Sequence, residues 1–359
     1  MVNFNPKLRS LAMALGLAAG LVTTAESARA VDITSPRFPE NKWVKLDGVP
    51  VSSNTDWYYR QVHSTLVFDS KRKTLLIFGS DTHSTNFDNI VREFNPSTKT
   101  WTKSYPASDL STYQKDSKGQ AIANSPLNPR PWAMHTFDDV VYDPKTESLV
   151  SVGKDDHNYA AYRKISDAIH PTWFYSPAAR TWNTFVNHDP QSNNVVLTVP
   201  QFFATGAEYD PDRDIIWAGN QNDPPDLWYI DSARNAWITV PRAAARPKAG
   251  FNIQYSMVYD TRRHKLAFFG TYSPKSTKVA FYTPGNTASV AGTWEVKTPV
   301  GDVPPNFNQV PVAYDSQQGV FLLVPKNTSN LTRSTFVYDV ERNAYVRVPN
   351  ADNIPTYND

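Results

Sequence analysis

One pattern recurs five times along the chain, and it constrains the fold more than any other feature. An apolar strand ends in an aromatic residue followed by Asp. A short polar turn and a second apolar strand come next. A third strand closes on another turn, and a fourth often carries Trp. The anchors are Phe68-Asp69, Tyr142-Asp143, Tyr209-Asp210, Tyr259-Asp260 and Tyr314-Asp315. The second strands fall at 74–79, 148–153, 215–219, 266–270 and 320–325. The third fall at 90–94, 173–175, 227–230, 279–282 and 335–338, and the fourth at 101–103, 182–185, 237–240, 294–297 and 345–348.

Each step of the repeat has a physical reason. An Asp closing the first strand, with Ser, Pro, Thr and basic residues after it, suits a tight hairpin held by side-chain to backbone hydrogen bonds. Asn95-Pro96-Ser97-Thr98 and Ser176-Pro177-Ala178-Ala179 do the same between third and fourth strands, where Pro presets φ and removes a donor that no strand needs. Apolar strands without a polar face fit sheets that stack on one another. A four-stranded sheet repeated about an axis is the propeller solution to exposed edges. The expectation is an all-β fold, a β-propeller of four-stranded blades. Five blades are favoured, with six or seven as alternatives, because Lys42-Trp43-Val44-Lys45-Leu46 reads like a fourth strand with no first three before it. That strand either closes the ring against the last blade or belongs to a further blade.

The repeats resemble the Kelch family, as in LLIFGSD followed by IVREFNPSTKTWTK between Leu75 and Lys103. The resemblance spans about residues 58–349. The double glycine of typical Kelch repeats is here a single Gly79, Gly153 or Gly270, and the fifth repeat has none.

The first thirty residues read as a signal peptide. Lys7 and Arg9 form a positive start, 11–22 is apolar, and Ala28-Arg29-Ala30 is a small-x-small cleavage site. The apolar run is short for a bilayer span. The expectation is a single propeller domain over 31–359, periplasmic or secreted, with no membrane span after cleavage; a retained N-terminal anchor is the alternative. The chain has no cysteine, which excludes disulfides, thiolate metal sites and cysteine nucleophiles. It has 36 basic and 34 acidic residues. Lys7, Arg9, Arg29 and Glu26 fall in the leader, so the remainder is electrically balanced and bulk charge gives no case for nucleic acid.

Counting from the anchors places candidate chemistry. In a blade, the start of strand one and the loop from strand two to strand three share a rim. His83 and His157 each lie fourteen residues after their anchor, and both follow acidic residues. His63 lies six before its anchor and His135 eight before its own, the same strand face. Four histidines are thus expected on one rim of two adjacent blades, beside the long insertions 105–130 and 155–172. Long loops on a rigid scaffold are where function concentrates. Arg60, Arg130 and Trp132 are candidate substrate-binding residues, since an aromatic face and a cation suit a sugar.

Three functions follow. One is a carbohydrate-active enzyme, most specifically a lyase. Uronic-acid β-elimination needs a carboxylate-neutralising donor, a base for the C5 proton and an acid for the leaving oxygen. The arrangement is similar to propeller polysaccharide lyases of the ulvan-lyase type. That resemblance implies a histidine pair, His63 with His83 or His135 with His157, with Tyr159 or Tyr162 and Arg163 completing the site. The second is a divalent-metal site with His83, His157, Asp81 and Asp155 as candidate ligands. The third is a glycan- or protein-binding propeller without catalysis.

Overall fold

A computed structural model describes residues 43, 63–80, 82, 87–154, 165, 168–196, 199–232, 234–270, 276–305, 307, 310–325, 332–349 and 354–355. The leader expected at 1–30 lies outside them.

The chain folds as an all-β propeller. The first blade is β1 (Thr65–Asp69), β2 (Thr74–Phe78), β3 (Arg92–Asn95) and β4 (Thr100–Lys103). A small three-stranded sheet follows, β5 (Gln114–Lys115), β6 (Ala121–Ser125) and β7 (Asn128–Arg130). The second blade is β8 (Val140–Asp143), β9 (Ser148–Ser151), β10 (Trp173–Ser176) and β11 (Thr181–Thr184). The third is β12 (Ala207–Asp210), β13 (Ile215–Gly219), β14 (Leu227–Asp231) and β15 (Ala236–Thr239). The fourth is β16 (Ser256–Asp260), β17 (Lys265–Phe269), β18 (Val279–Thr283) and β19 (Thr293–Lys297). After the short β20 (Val300–Gly301) come β21 (Val312–Asp315), β22 (Val320–Leu323), β23 (Thr332–Arg333), β24 (Phe336–Asp339), β25 (Ala344–Arg347) and β26 (Ile354–Pro355). The fifth blade is β21, β22, β24 and β25, with β20 added in parallel on β25. Within the blades every other neighbouring pair is antiparallel, in sequence order from inner to outer strand.

The anchor aspartates act as the sequence suggests, and do more. Asp69, Asp210 and Asp260 are buried. Each accepts the N–H groups two and three residues on: Lys71 and Arg72 for Asp69, Asp212 and Arg213 for Asp210, Arg262 and Arg263 for Asp260. The residue four past the anchor is left-handed in all five copies. It is Lys73, Glu147, Asp214 and His264, with Gly319 last. The same conformation ends the outer hairpins at Lys99, Arg180, Asn235 and Asn343. A type I turn closed by a left-handed residue matches strand twist; here mostly non-glycine residues accept that conformation, held by the buried Asp.

Blades pack face to face, and each interface adds residues from the stretch joining the earlier blade's outer strand to the later blade's inner strand. Tyr105, Ile122 and Met134 join Leu76, Phe78, Trp173 and Trp182 between blades one and two. Val199 and Phe202 serve blades two and three. Phe251 and Tyr255 serve three and four, and Phe307 and Val310 serve four and five. Outer-strand tryptophans tie neighbours further: Trp237 Nε1 donates to Thr172 Oγ1 at 3.0 Å, and Trp182 Nε1 to the Tyr105 hydroxyl. Gly79 follows β2 at φ 115°, where a Cβ would lie 2.5 Å from Thr136 Oγ1 on the approach to the second blade and 2.9 Å from Ser64 Cα, so only glycine allows that approach.

The 105–130 insertion is built structure. Tyr113, Ala121, Ala123 and Trp132 form a small core with Phe87 and Ala133. Among the described residues, no helix is long and apolar enough to cross a membrane.

Candidate functional site

The site begins with a repeated backbone feature at the inner rim. The residue six before each anchor is His63, Phe137, Ala204 and Gln254 in the first four blades, and all four are left-handed, with φ of 57°, 44°, 53° and 59°. They link neighbouring blades: Phe137 N–H donates to His63 O at 3.3 Å, and Gln254 N–H to Ala204 O at 2.6 Å. Left-handed conformations cost non-glycine residues about 1–2 kcal/mol each, so the rim is held under strain by its neighbours.

Two of the four histidines meet there. The His63 and His135 rings stack with centroids 4.3 Å apart. Phe137 packs against both, 4.9 Å from His63 and 5.5 Å from His135, and Phe203 of the third blade meets Phe137 edge-on at 6.1 Å. The two rings are not equivalent. His135 is buried, and its Nε2 accepts the Thr82 N–H at 3.1 Å. That bond commits the nitrogen's lone pair and corresponds to the tautomer protonated at Nδ1. His63 is only half-buried. Of the two rings, His63 is thus the more open to solvent, and His135 is the one held by the Thr82 N–H.

The other sequence candidates divide into two groups. Trp132 is 2% exposed, and its indole N–H donates to Ile122 O at 2.9 Å. Its faces are taken up by the small core, so the sugar platform expected of it is covered. Arg130 lies over the Tyr105 ring at 4.1 Å and donates to Pro106 O at 2.8 Å, which commits it to the insertion. Arg60, Asp81, His83, Asp155, His157, Tyr159, Tyr162 and Arg163 lie outside the described residues. Thr82, which holds His135, precedes His83 in the chain, and Lys154, bonded to Phe202 O at 2.5 Å, precedes Asp155. Among the described residues no group of three or more histidines and carboxylates is arranged to hold a metal ion.

Below the aromatic rim the structure adds acids that the sequence reading did not single out. Asp138 Oδ2 accepts the Met257 N–H at 2.8 Å, reaching from the second blade to the fourth across Gly206 of the third. Asp139 accepts the Thr205 hydroxyl at 2.8 Å and the Thr205 N–H at 3.4 Å. Glu208 stands on β12 and accepts the Tyr209 N–H at 3.1 Å. Burial raises all three carboxyls: Asp139 to about 7, Glu208 to about 8 and Asp138 well above its ordinary range, with Glu208 and Asp139 adding like-charge repulsion to Asp138. The signal in the sequence is Glu208 itself, an acid two residues before its anchor where the other repeats carry Val67, Val141, Val258 and Ala313.

Gly206 is what lets Asp138 reach Met257. A Cβ there would lie 2.9 Å from Met257 Cβ and 3.2 Å from Asp138 Oδ2. Gly206→Ala is expected to cost about 1–3 kcal/mol by overpacking, read as a lowered denaturation midpoint. An unchanged midpoint would show that the inner strands part freely.

A separate cavity of about 690 Å³ lies between the second and third blades on the turn side. Phe174, Phe185, Val186, Tyr209 and Ile215 line it, with Lys145 and Asp214 among the polar residues. None of the sequence-predicted site residues borders it.

No protein-family model matches the chain, and no curated protein matches it. Solved structures do. TolB from Acinetobacter baumannii shares 10% identity at a TM-score of 0.45, covering 81% of this chain and 54% of that one. A structural-genomics protein of unknown function from Bacteroides thetaiotaomicron shares 12% at 0.44, covering 79% and 58%. The GH74 enzyme of Niastella koreensis shares 13% at 0.45, covering 81% and 39%. The chain thus spans about half the length of these structures, or less.

Proposed function

We propose that this chain is an exported, Kelch-like propeller that binds a polysaccharide over the inner rim and cleaves it by β-elimination. The observation that supports it is the stacked His63–His135 pair, with one ring fixed by Thr82 and the other half-buried beside Phe137 and Phe203. In the reaction the C5 proton passes to a base, the C4–O4 bond breaks, a C4=C5 double bond forms, and the leaving oxygen takes a proton. His63 serves as one of the two proton-transfer groups. His83, His157, Tyr159, Tyr162, Arg163 and Arg60 supply, in this reading, the other group and the cation that neutralises the uronate carboxylate. Phe137 and Phe203 offer apolar faces to the sugar rings. Export rests on the pattern of residues 1–30.

The test is incubation of the mature chain with a panel of uronic-acid polysaccharides, following ultraviolet absorbance of the unsaturated product. At least one polymer is expected to give signal, and His63→Ala to slow it by about 10²–10⁴-fold while polymer binding persists. Binding without any product would instead favour a glycan-binding propeller. Neither binding nor product would remove both readings.

A further inference from the structure

The described blades leave one place in the ring without a neighbour. Inner strands β1 and β8, β8 and β12, β12 and β16, and β16 and β21 pack side by side, but no such packing joins β21 to β1. Both sheet faces turned toward that place are apolar and open. On the first blade, Leu66 and Phe68 are 53% and 49% exposed, on the face shared with Leu75 and Ile77. On the fifth, Leu322 is 37% exposed and lies opposite Ala313. Covering these faces would take their apolar surface out of water, which favours an occupant.

Trp43 shows what belongs there. Its indole N–H donates to Thr335 Oγ1 at 2.6 Å, and Thr335 immediately precedes β24, the third strand of the fifth blade. Trp237, on the outer strand of the third blade, makes the same bond to Thr172, which immediately precedes β10, the third strand of the second blade. Trp43 therefore stands where the outer-strand tryptophan of a blade following the fifth would stand. Its distance to the next inner strand agrees. Trp182, Trp237 and Trp294 precede Ala207, Ser256 and Val312, the first residues of β12, β16 and β21, by 25, 19 and 18 residues; Trp43 precedes Thr65, the first of β1, by 22.

From these observations we infer that the ring has a sixth blade position, whose outer strand carries Trp43, and that residues 44–62 cover the Leu66 and Phe68 face of the first blade. The occupant is this chain's own segment because the equivalent stretches, including Val199, Phe251 and Phe307, enter the described inter-blade cores. The segment has the composition for it, with Val44, Leu46, Val49, Val51 and Trp57.

The absence of native cysteine makes a clean test. Leu66→Cys is labelled with a maleimide in the folded mature chain, beside Leu127→Cys, whose site is 98% exposed. The Leu66→Cys thiol is expected to react at least about tenfold more slowly than the control, at a rate independent of protein concentration, because labelling must wait for local opening. Adding Trp43→Ala is expected to bring the two rates together. Equal rates without Trp43→Ala would overturn the inference. Protection that disappears on dilution would also overturn it, by assigning the face to a second copy of the chain. Leu75→Cys, on the same sheet face, repeats the measurement should Leu66→Cys fail to fold.

Discussion

Asp260→Ala is expected to lower the unfolding free energy by about 3–5 kcal/mol, the range for removing one partner of a buried charge pair. The Asp260 carboxylate has no exposed surface and four donors. They are the N–H groups of Arg262 and Arg263, each at 3.0 Å, Arg263 Nη1 at 2.7 Å, and the Tyr314 hydroxyl at 2.5 Å. The last belongs to the fifth blade, so one side chain closes its own hairpin and joins two blades. Removing it leaves the Arg263 guanidinium with Glu341 as its remaining carboxylate partner, and strands the Tyr314 hydroxyl. Asp315→Ala is the comparison. Asp315 is half-buried and, among the described residues, its carboxylate accepts only the Gln317 and Gln318 N–H groups, at 2.8 and 3.0 Å, so its loss should cost about 1 kcal/mol. Urea denaturation of both variants decides the matter. Equal losses would mean that the anchors act only within their own hairpins.

The same anchors explain why so much of the fold was legible. An aspartate that caps a turn two and three residues ahead is a local device, so it leaves a trace in five consecutive stretches of sequence. Counting from it places His63 and His135 on one rim, where their rings meet, but not by strand parity: both precede their inner strands, and the left-handed Phe137 stands between His135 and β8. Reading failed where the cause is not local. The left-handed residues at Lys73, Glu147, Asp214 and His264 carry no glycine to announce them. The 105–130 stretch reads as a loop in the sequence, yet it holds a sheet whose core buries Trp132, and no local pattern announces that burial. The bond from Asp138 to Met257 joins two blades across a third, and nothing in a blade-by-blade repeat encodes a contact that skips one.

The inner carboxyls should make stability fall with rising pH, opposite to the usual behaviour of salt-bridged acids. Glu208 is raised from 4.5 to about 8, and Asp139 from 3.8 to about 7, in both cases mainly by burial. A raised acid binds its proton more tightly in the folded chain than in the unfolded one. Below about pH 3 both groups are protonated in both states and the difference costs nothing. Between about 4.5 and 8 the unfolded chain has released protons that the folded chain retains, so each pH step favours unfolding. Above about 8 the penalty is complete and the slope from these groups vanishes. Each unit of displacement is worth about 1.4 kcal/mol. Since Glu208 keeps part of its surface accessible, its share is set at about 2 kcal/mol rather than the full displacement. Glu208→Gln keeps the shape and removes the charge. At pH 8 it should therefore be about 2 kcal/mol more stable than the parent, and at pH 4 indistinguishable from it. Denaturation midpoints at the two pH values measure this directly. A variant equally stable at both would place the ionised Glu208 in water, and the inner wall of the ring would then be wet where the structure makes it close.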